Sequence, residues 1–353
     1  MLGINMRIDP DRNCPFNSDN TPFGDVVLSS RARLARNLEG FPFVNRSTEM
    51  DCKEVTSLVH RISDNKQQST TLEWTDIDTL EPNILEMFVE RHLCSSNLAH
   101  SKHPRAIAIG SELSRSVMVN EEDHIRIQSI RPGLQMEDVR DDVHNLDLQI
   151  EEIIAYSFDK QLGFLTACPT NLGTGARFSV MLHLPALRIV KDFTRIRKSC
   201  EAMSLAIRGY RGEGSRAIAD LYQVSNQVTL GYTEEQLCKI LSEDFLPNVI
   251  EWERKSRMSI AKNNLSLLDD QTHRSLGTLK NARIITVEES MQCLGNIRLG
   301  VCLDRITDID INTINQLLIE IHPAHLRWHY GEDVKDDDIP ELRSNFIREK
   351  LST

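Results

Sequence analysis

Apolar residues recur along this chain in two rhythms, and the change of rhythm maps its architecture. Val26-Val27-Leu28 emerges from a turn-rich approach containing Pro15, Asn17, Asn20, Pro22 and Gly24, which predicts a short buried strand. Two further apolar runs of strand length lie at residues 106–109 and 117–119, and Ile125, Ile127 and Ile130 resume the pattern after an acidic cluster. Residues 163–167 and 178–184 flank a Gly-rich turn and predict a pair of antiparallel strands, with another short strand at residues 228–230. Helical spacing instead predicts helices over residues 80–98, 136–158 and 187–207. Thr233-Glu234-Glu235-Gln236 has the form of a capping box and starts a helix that bends near Pro247.

Beyond about residue 256 the helical rhythm dominates. The expectation is an α+β protein: an antiparallel sheet flanked by helices over residues 1–255, and a helical C-terminal domain over residues 256–353.

The chain has 353 residues, enough for a large core, and no internal repeat. With 52 acidic against 41 basic residues it carries a net charge of -11, which argues against coating nucleic acid. Any anion site must therefore be built locally. The eight cysteines stand singly, with no C-x-x-C pair for zinc or dithiol chemistry, and read as reduced thiols of a cytoplasmic protein. No stretch approaches the roughly 18–20 apolar residues of a membrane span, and the first residues lack the apolar core of a secretory leader.

Three clusters mix residue types that make poor core and good sites. The first is Ser29-Ser30-Arg31-Ala32-Arg33, where the two arginines lie two apart and share one face of an extended segment. The second is Asn120-Glu121-Glu122-Asp123-His124-Ile125-Arg126, read as part of a strand-like element, where adjacent like charges are costly unless a cation is near. The third is Cys168-Pro169-Thr170-Asn171-Leu172-Gly173-Thr174-Gly175-Ala176-Arg177. Arg208-Gly209-Tyr210-Arg211-Gly212-Glu213-Gly214 adds a Gly-bracketed loop able to close as a lid. Guanidinium forks match phosphate oxygens, and phosphoryl transfer depends mainly on positioning and charge stabilisation. Two glutamates can hold a planar guanidinium and draw off its proton. No Walker-type lysine loop is present, so phosphates must be held by arginines. Each cluster also has an ordinary reading, as a solvated face, a polar turn or a small buried thiol. A Cys-His hydrolase using Cys168 with His124 or His183 is a rival, although neither histidine stands in a recognisable hydrolase motif.

With C-P-T-N-x-G-T present as Cys168 to Thr174, and the blocks at Ser29 to Arg33, Asn120 to Arg126 and Arg208 to Glu213 in the same order, the chain resembles the phosphagen (guanidino) kinase family over roughly residues 24–255. Within it, Gly209 to Ser215, Tyr222 to Gly231 and Pro323-Ala324-His325-Leu326 resemble the bacterial branch that phosphorylates arginine side chains of proteins. The small-metabolite kinases carry a helical domain ahead of the S-x-R-x-R block, which here begins at Ser29. The resemblance implies that Arg31, Arg33, Arg126, Arg177 and Arg208 hold the phosphates of ATP, and that Glu122 and Glu213 bind and deprotonate the guanidinium. Cys168 would lie against the guanidinium without a covalent intermediate, and Mg2+ would ride on the nucleotide. It also implies a homodimer, a zinc-finger activator protein and a link to Clp protease machinery and protein quality control.

Two positions depart from the family. Met181 stands where small-substrate relatives often have a histidine, and Pro340-Glu341-Leu342-Arg343-Ser344-Asn345 replaces the R-D-x-x-R-A motif that recognises phosphoarginine. Two other functions fit the same residues: a kinase for free arginine or another small guanidino compound, and an inactive adaptor binding phosphoarginine or a partner.

Overall fold

The computed structural model describes residues 14–16, 21–63, 72–210 and 218–352. Its strands are β1 (Val27–Arg36), β2 (Leu72–Asp76), β3 (Ala106–Gly110), β4 (Arg115–Val119), β5 (Ile125–Pro132), β6 (Phe158–Asp159), β7 (Gly163–Phe164), β8 (Ala176–His183), β9 (Leu205–Gly209) and β10 (Leu221–Asn226). Helices in the first part are α1 (Glu49–Ser63), α2 (Pro82–Glu90), α3 (Ser96–His100), α4 (Met136–Glu151), α5 (Pro185–Ile189), α6 (Phe193–Ala202) and α7 (Glu234–Lys239). They continue with α8 (Leu246–Asn263), α9 (Leu265–Asn281), α10 (Val287–Cys302), α11 (Ile311–Glu320), α12 (Pro323–Tyr330) and α13 (Ile339–Lys350). Eight strands form one antiparallel sheet in the order β2-β3-β4-β5-β1-β8-β10-β9, and β6 and β7 make a separate ribbon.

Side-chain alternation gives the two faces different fates. Ala32 and Leu34 of β1, Val117 and Val119 of β4, and Phe178 and Val180 of β8 enter one core with residues of α1, α4, α6, α7 and α8. Among the described residues the opposite face is covered only at its ends. Ile107, Ile109 and Met118 pack under α2 and α3. Leu28, Met181, Tyr210 and Leu221 join Leu294, Ile297, Leu317 and Ile347 of the C-terminal helices. Between these covers runs a polar strip.

Buried polar groups fasten the C-terminal helices to the sheet. The Arg298 guanidinium, fully buried, donates to the Asp25 carbonyl at 2.9 Å, to His183 Nδ1 at 3.0 Å and to Asn315 Oδ1 at 3.0 Å. Arg257 pairs with Glu253 at 2.7 Å, and Glu253 accepts the amides of Ala186 and Leu187 at the start of α5.

Several predicted elements are redrawn by tertiary contacts. The stretch 80–98 is two helices: α2 stops where His92 takes a left-handed conformation, and the Ser95 hydroxyl caps α3. Helix α4 ends at Glu151, and after a turn the chain bonds back to the end of β1 through Ala155 and Ser157. The long helix expected over 187–207 is α5, a break at Lys191 with φ 59°, α6, a second break at Ser204 with φ 52°, and strand β9. Residues 163–164 pair with 158–159 and not with β8, whose partners are β1 and β10. The strand expected at 228–230 is a loop, and the strand lies just before it as β10. Residues 120–124 form the turn between β4 and β5, not a strand. The capping box is present, with Thr233 and Gln236 bonded reciprocally, and a π-helical stretch, Ile240–Phe245, precedes Pro247. Helix α8 runs unbroken through residues 255–262, and the next helix begins after Asn264.

Candidate active site

The polar strip is a surface of arginines. In the register of β1, Arg33 stands opposite Arg177 of β8 and Gln128 of β5, Arg31 opposite Ser179 and Ile130, and Ala35 opposite Arg126. Arg208 of β9 stands opposite Gln223 of β10, which stands opposite Met181 of β8. Directly paired residues share a face, so Arg31, Arg33, Arg126, Arg177 and Arg208 all rise from one side of the sheet.

These cations crowd one another. Burial, followed by the guanidiniums of Arg126 and Arg177, pulls Arg31 down to about 9. Arg33 is pushed well down by burial and by Arg31, Arg126 and Arg177, with Glu121 opposing. A guanidinium does not give up its proton at ordinary pH, so the crowding is relieved by bringing in negative charge. Arg31 Nε is buried with no hydrogen-bond partner among the described residues. A cleft of 190 Å³ joins Arg177 and Arg208 to Thr170, Asn171 and Thr229, beside the Cys168 turn.

The acidic turn resolves its own repulsion by sending its carboxylates three ways. Glu121 is buried and accepts from Ser95 at 2.7 Å, from the Glu122 amide at 2.8 Å and from Arg126 at 2.6 Å. Asp123 is also buried and accepts from Asn37 Nδ2 and from the Ala167 amide, each at 2.7 Å. Only Glu122 stays open, 44 % exposed, with its carboxylate 3.1 Å from Arg126. Asn120 supports the turn from below with φ 57°, its amide donating to the carbonyls of Cys52 and Pro104 and to the Thr56 hydroxyl.

His124 is structural. Its Nδ1 accepts the Leu38 amide and its Nε2 donates to the Pro42 carbonyl, and burial pushes its pKa down.

Cys168 follows Ala167 by one residue and stands at the start of a single 3-10 turn, Pro169–Asn171. Its half-buried thiol lies 3.0 Å from the Thr170 hydroxyl. Glycine is required twice in the turn that follows. A Cβ on Gly173, φ 110°, would stand 2.7 Å from Leu230 Cα, and one on Gly175, φ 64°, would stand 2.5 Å from the Ala35 carbonyl oxygen. The Thr229 hydroxyl closes the contact by donating to the carbonyls of Thr170 and Leu172.

Among the predicted site residues, Glu122 and the Cys168 turn thus meet the arginine strip through Arg126, Asp123 and the 190 Å³ cleft. Glu213 lies outside the described residues. Sequence reasoning missed Arg36, which points to the opposite face: buried, it pairs with Asp147 at 2.6 Å, donates to the Thr174 carbonyl at 2.8 Å and stacks over Phe164 at 3.7 Å. It also missed Asn37, which couples Asp123 and His124 to the end of β1. The only signal for either was adjacency to the S-x-R-x-R block.

An antiparallel sheet with an arginine face, a glutamate at its rim and a C-P-T-N turn beside it defines a phosphotransferase acting on guanidino groups, and sequence comparison agrees. Residues 53–256 match the ATP:guanido phosphotransferase, C-terminal catalytic domain, and residues 265–353 match the protein-arginine kinase McsB C-terminal domain. The chain belongs to the ATP:guanido phosphotransferase family, among relatives named protein-arginine kinase. It is 37 % identical over 338 residues to the protein-arginine kinase of Halalkalibacterium halodurans, covering 96 % of this chain and 95 % of that one. It is 39 % identical over 331 residues to that of Clostridium kluyveri, covering 93 % and 95 %. Among solved structures, lombricine kinase superposes with a TM-score of 0.59 at 22 % identity over 71 % of this chain and 76 % of that one. The duplicated taurocyamine kinase of Schistosoma mansoni superposes with a TM-score of 0.59 at 24 % identity, over 74 % of this chain and 39 % of that longer one. These likenesses concern the fold.

Proposed function

We propose that the arginine face transfers the γ-phosphoryl group of ATP to the guanidinium of arginine side chains in proteins. The observation that carries this reading is the convergence of the arginines, buried and crowded enough to depress Arg31 and Arg33, on a rim where Glu122 offers an open carboxylate. The full-length similarity to protein-arginine kinases supports a protein acceptor.

In this mechanism Arg31, Arg33, Arg126, Arg177 and Arg208 bind the phosphate oxygens and stabilise the charge that builds on the moving phosphoryl group. Glu122 turns from Arg126 to the incoming guanidinium, and Glu213 supplies the second carboxylate. Cys168 lies against the acceptor and orients it. The guanidino nitrogen forms a bond to phosphorus as the bond to the bridging oxygen of ADP breaks, and the nitrogen's proton passes to a glutamate. Removing that proton beforehand, from a guanidinium that stays charged far above neutral pH, would cost about 8 kcal/mol, so proton loss accompanies attack. Magnesium neutralises charge on the nucleotide phosphates when bound there.

Residues 1–255 form the catalytic part on this reading, and residues 256–353 a dimerising or regulatory part. The chain would act in the cytoplasm as a homodimer, with a zinc-finger activator and Clp protease machinery as partners in protein quality control.

The test is mass spectrometry of a protein substrate incubated with ATP and magnesium. Acid-labile phosphoarginine, lost in Glu122→Gln, is the expected product, and acid-stable phosphoserine overturns the proposal.

A further inference from the structure

Pro323-Ala324-His325-Leu326 begins α12, and this helix is seated on α2 by a buried hydrogen-bonded clamp. The Glu90 carboxylate, on the last residue of α2, accepts the backbone amides of Ala324 at 2.8 Å and His325 at 3.1 Å, capping the helix N-terminus. The same carboxylate lies 2.6 Å from His325 Nδ1, and Arg91 Nε donates to His325 Nε2 at 3.1 Å. His325 is 4 % exposed and its ring nitrogens are both engaged, one as donor and one as acceptor. Asn83 adds a bond from α2 to the Ala324 carbonyl at 3.2 Å.

What makes the clamp more than a docking contact is the segment it anchors. Directly after Arg91 the chain breaks from helix with His92 at φ 61°, and the connection to α3 reaches the arginine face at two points. The His92 carbonyl accepts Gln128 Nε2 at 2.7 Å, and the other end of that amide, Oε1, accepts from Arg31. The Ser95 hydroxyl donates to Glu121 Oε1 at 2.7 Å, and Glu121 Oε2 holds Arg126 at 2.6 Å. His92 Nε2 also lies 3.3 Å from the hydroxyl of Tyr210, two residues beyond Arg208.

We infer that Glu90 and His325 are positioning residues for the nucleotide site: by fixing the α2–α3 connection they set where Arg31 and Arg126 stand. The C-terminal helices thereby take part in holding the phosphates. The inference rests on the arginine face being the phosphate site for ATP.

The experiment uses the full-length chain, with a protein substrate at saturation and ATP varied. Glu90→Ala and His325→Ala raise KM for ATP about five- to tenfold, while kcat at saturating ATP falls less than about threefold. His325→Asn, whose amide can still donate to Glu90, stays within about twofold of the wild type. Trp328→Ala, on the 44 % exposed side of α12, leaves both constants unchanged. Combined with Gln128→Ala, Glu90→Ala multiplies to less than the product of the single effects, because both cut one chain of bonds.

An unchanged KM for ATP in Glu90→Ala and His325→Ala proteins that retain the wild-type melting temperature overturns the inference. So does an equal loss in both kinetic constants for the two alanine variants and for His325→Asn. If the alanine variants do not fold, Ser95→Ala tests the far end of the relay alone, and an unchanged KM there overturns it. Failure of the wild-type protein to bind ATP in calorimetry sinks the underlying reading of the arginine face, whereas equal binding by wild type and variants sinks only this inference.

Discussion

Asp123 Oδ1 accepts the backbone amide of Ala167 at 2.7 Å, so the acidic turn and the approach to Cys168 move as one piece. The same oxygen accepts from Asn37 Nδ2 at 2.7 Å, which ties both to the end of β1. Asp123→Ala leaves these donors unpaired in a buried place and is expected to lower stability by about 1–3 kcal/mol and kcat by at least about tenfold. Asp123→Asn keeps an acceptor oxygen and is expected to lie nearer the wild type. Denaturant unfolding and steady-state kinetics on the two variants check both statements.

Arg33 is buried, and held beside Arg31, Arg126 and Arg177, at a cost to the folded chain. Arg33→Ala is therefore expected to leave the melting temperature of the nucleotide-free protein unchanged or higher, while weakening ATP binding about tenfold or more. Conversely, ATP added to the wild type raises its melting temperature, and this gain shrinks in the variant. Thermal melts with and without nucleotide read both effects.

Acid sensitivity follows from three buried imidazoles, His124 and two others. Burial, then the charges of Arg31 and His322, lowers His92 to about 3, and burial with Arg298 and Arg257 pushes His183 well down. Their folded-state values lie below the unfolded value of 6.5. The unfolded chain therefore binds the extra protons, so their contribution to stability is complete above pH 6.5 and is lost as pH falls from there toward 3. Urea midpoints across this range should fall with decreasing pH, and His92→Gln should flatten that slope.

Phosphoarginine is not expected to act through the C-terminal helices. The 580 Å³ cavity there is lined by Asp333, Asp338 and Glu341, and Arg343 is turned inward to the carbonyls of Ile321 and Ile285. An added dianion meets carboxylates and, among the described residues, no cation along this lining. Free phosphoarginine at millimolar concentration should change neither the rate of protein phosphorylation nor the melting temperature.

The arginine face was legible because a period of two needs no tertiary information: Arg31 and Arg33 must share a side if residues 27–36 are extended. Arg126, Arg177 and Arg208 could be grouped with them only by motif, since their common face depends on strand order. The acidic run fits a strand by its apolar flanks alone. Its turn is specified by the αL conformation of Asn120 and by bonds to Cys52, Thr56, Pro104, Asn37 and Leu38, partners far away in sequence. Over 187–207 the apolar spacing fits a helix throughout, and nothing local announces that Lys191 and Ser204 take positive φ. The tie of Glu90 to His325 spans more than two hundred positions and has no local trace.

Leu28, Met181, Tyr210 and Leu221 lie in the same apolar cluster as Leu294, Ile297 and Leu317, and Arg298 reaches into the sheet's end. Cutting the gene between the two matched regions would strip that cover from the strands and yield a fragment prone to aggregate. Chimaeras that exchange the final ninety or so residues between relatives must carry both sides of this seam together, or they will report on solubility instead of catalysis.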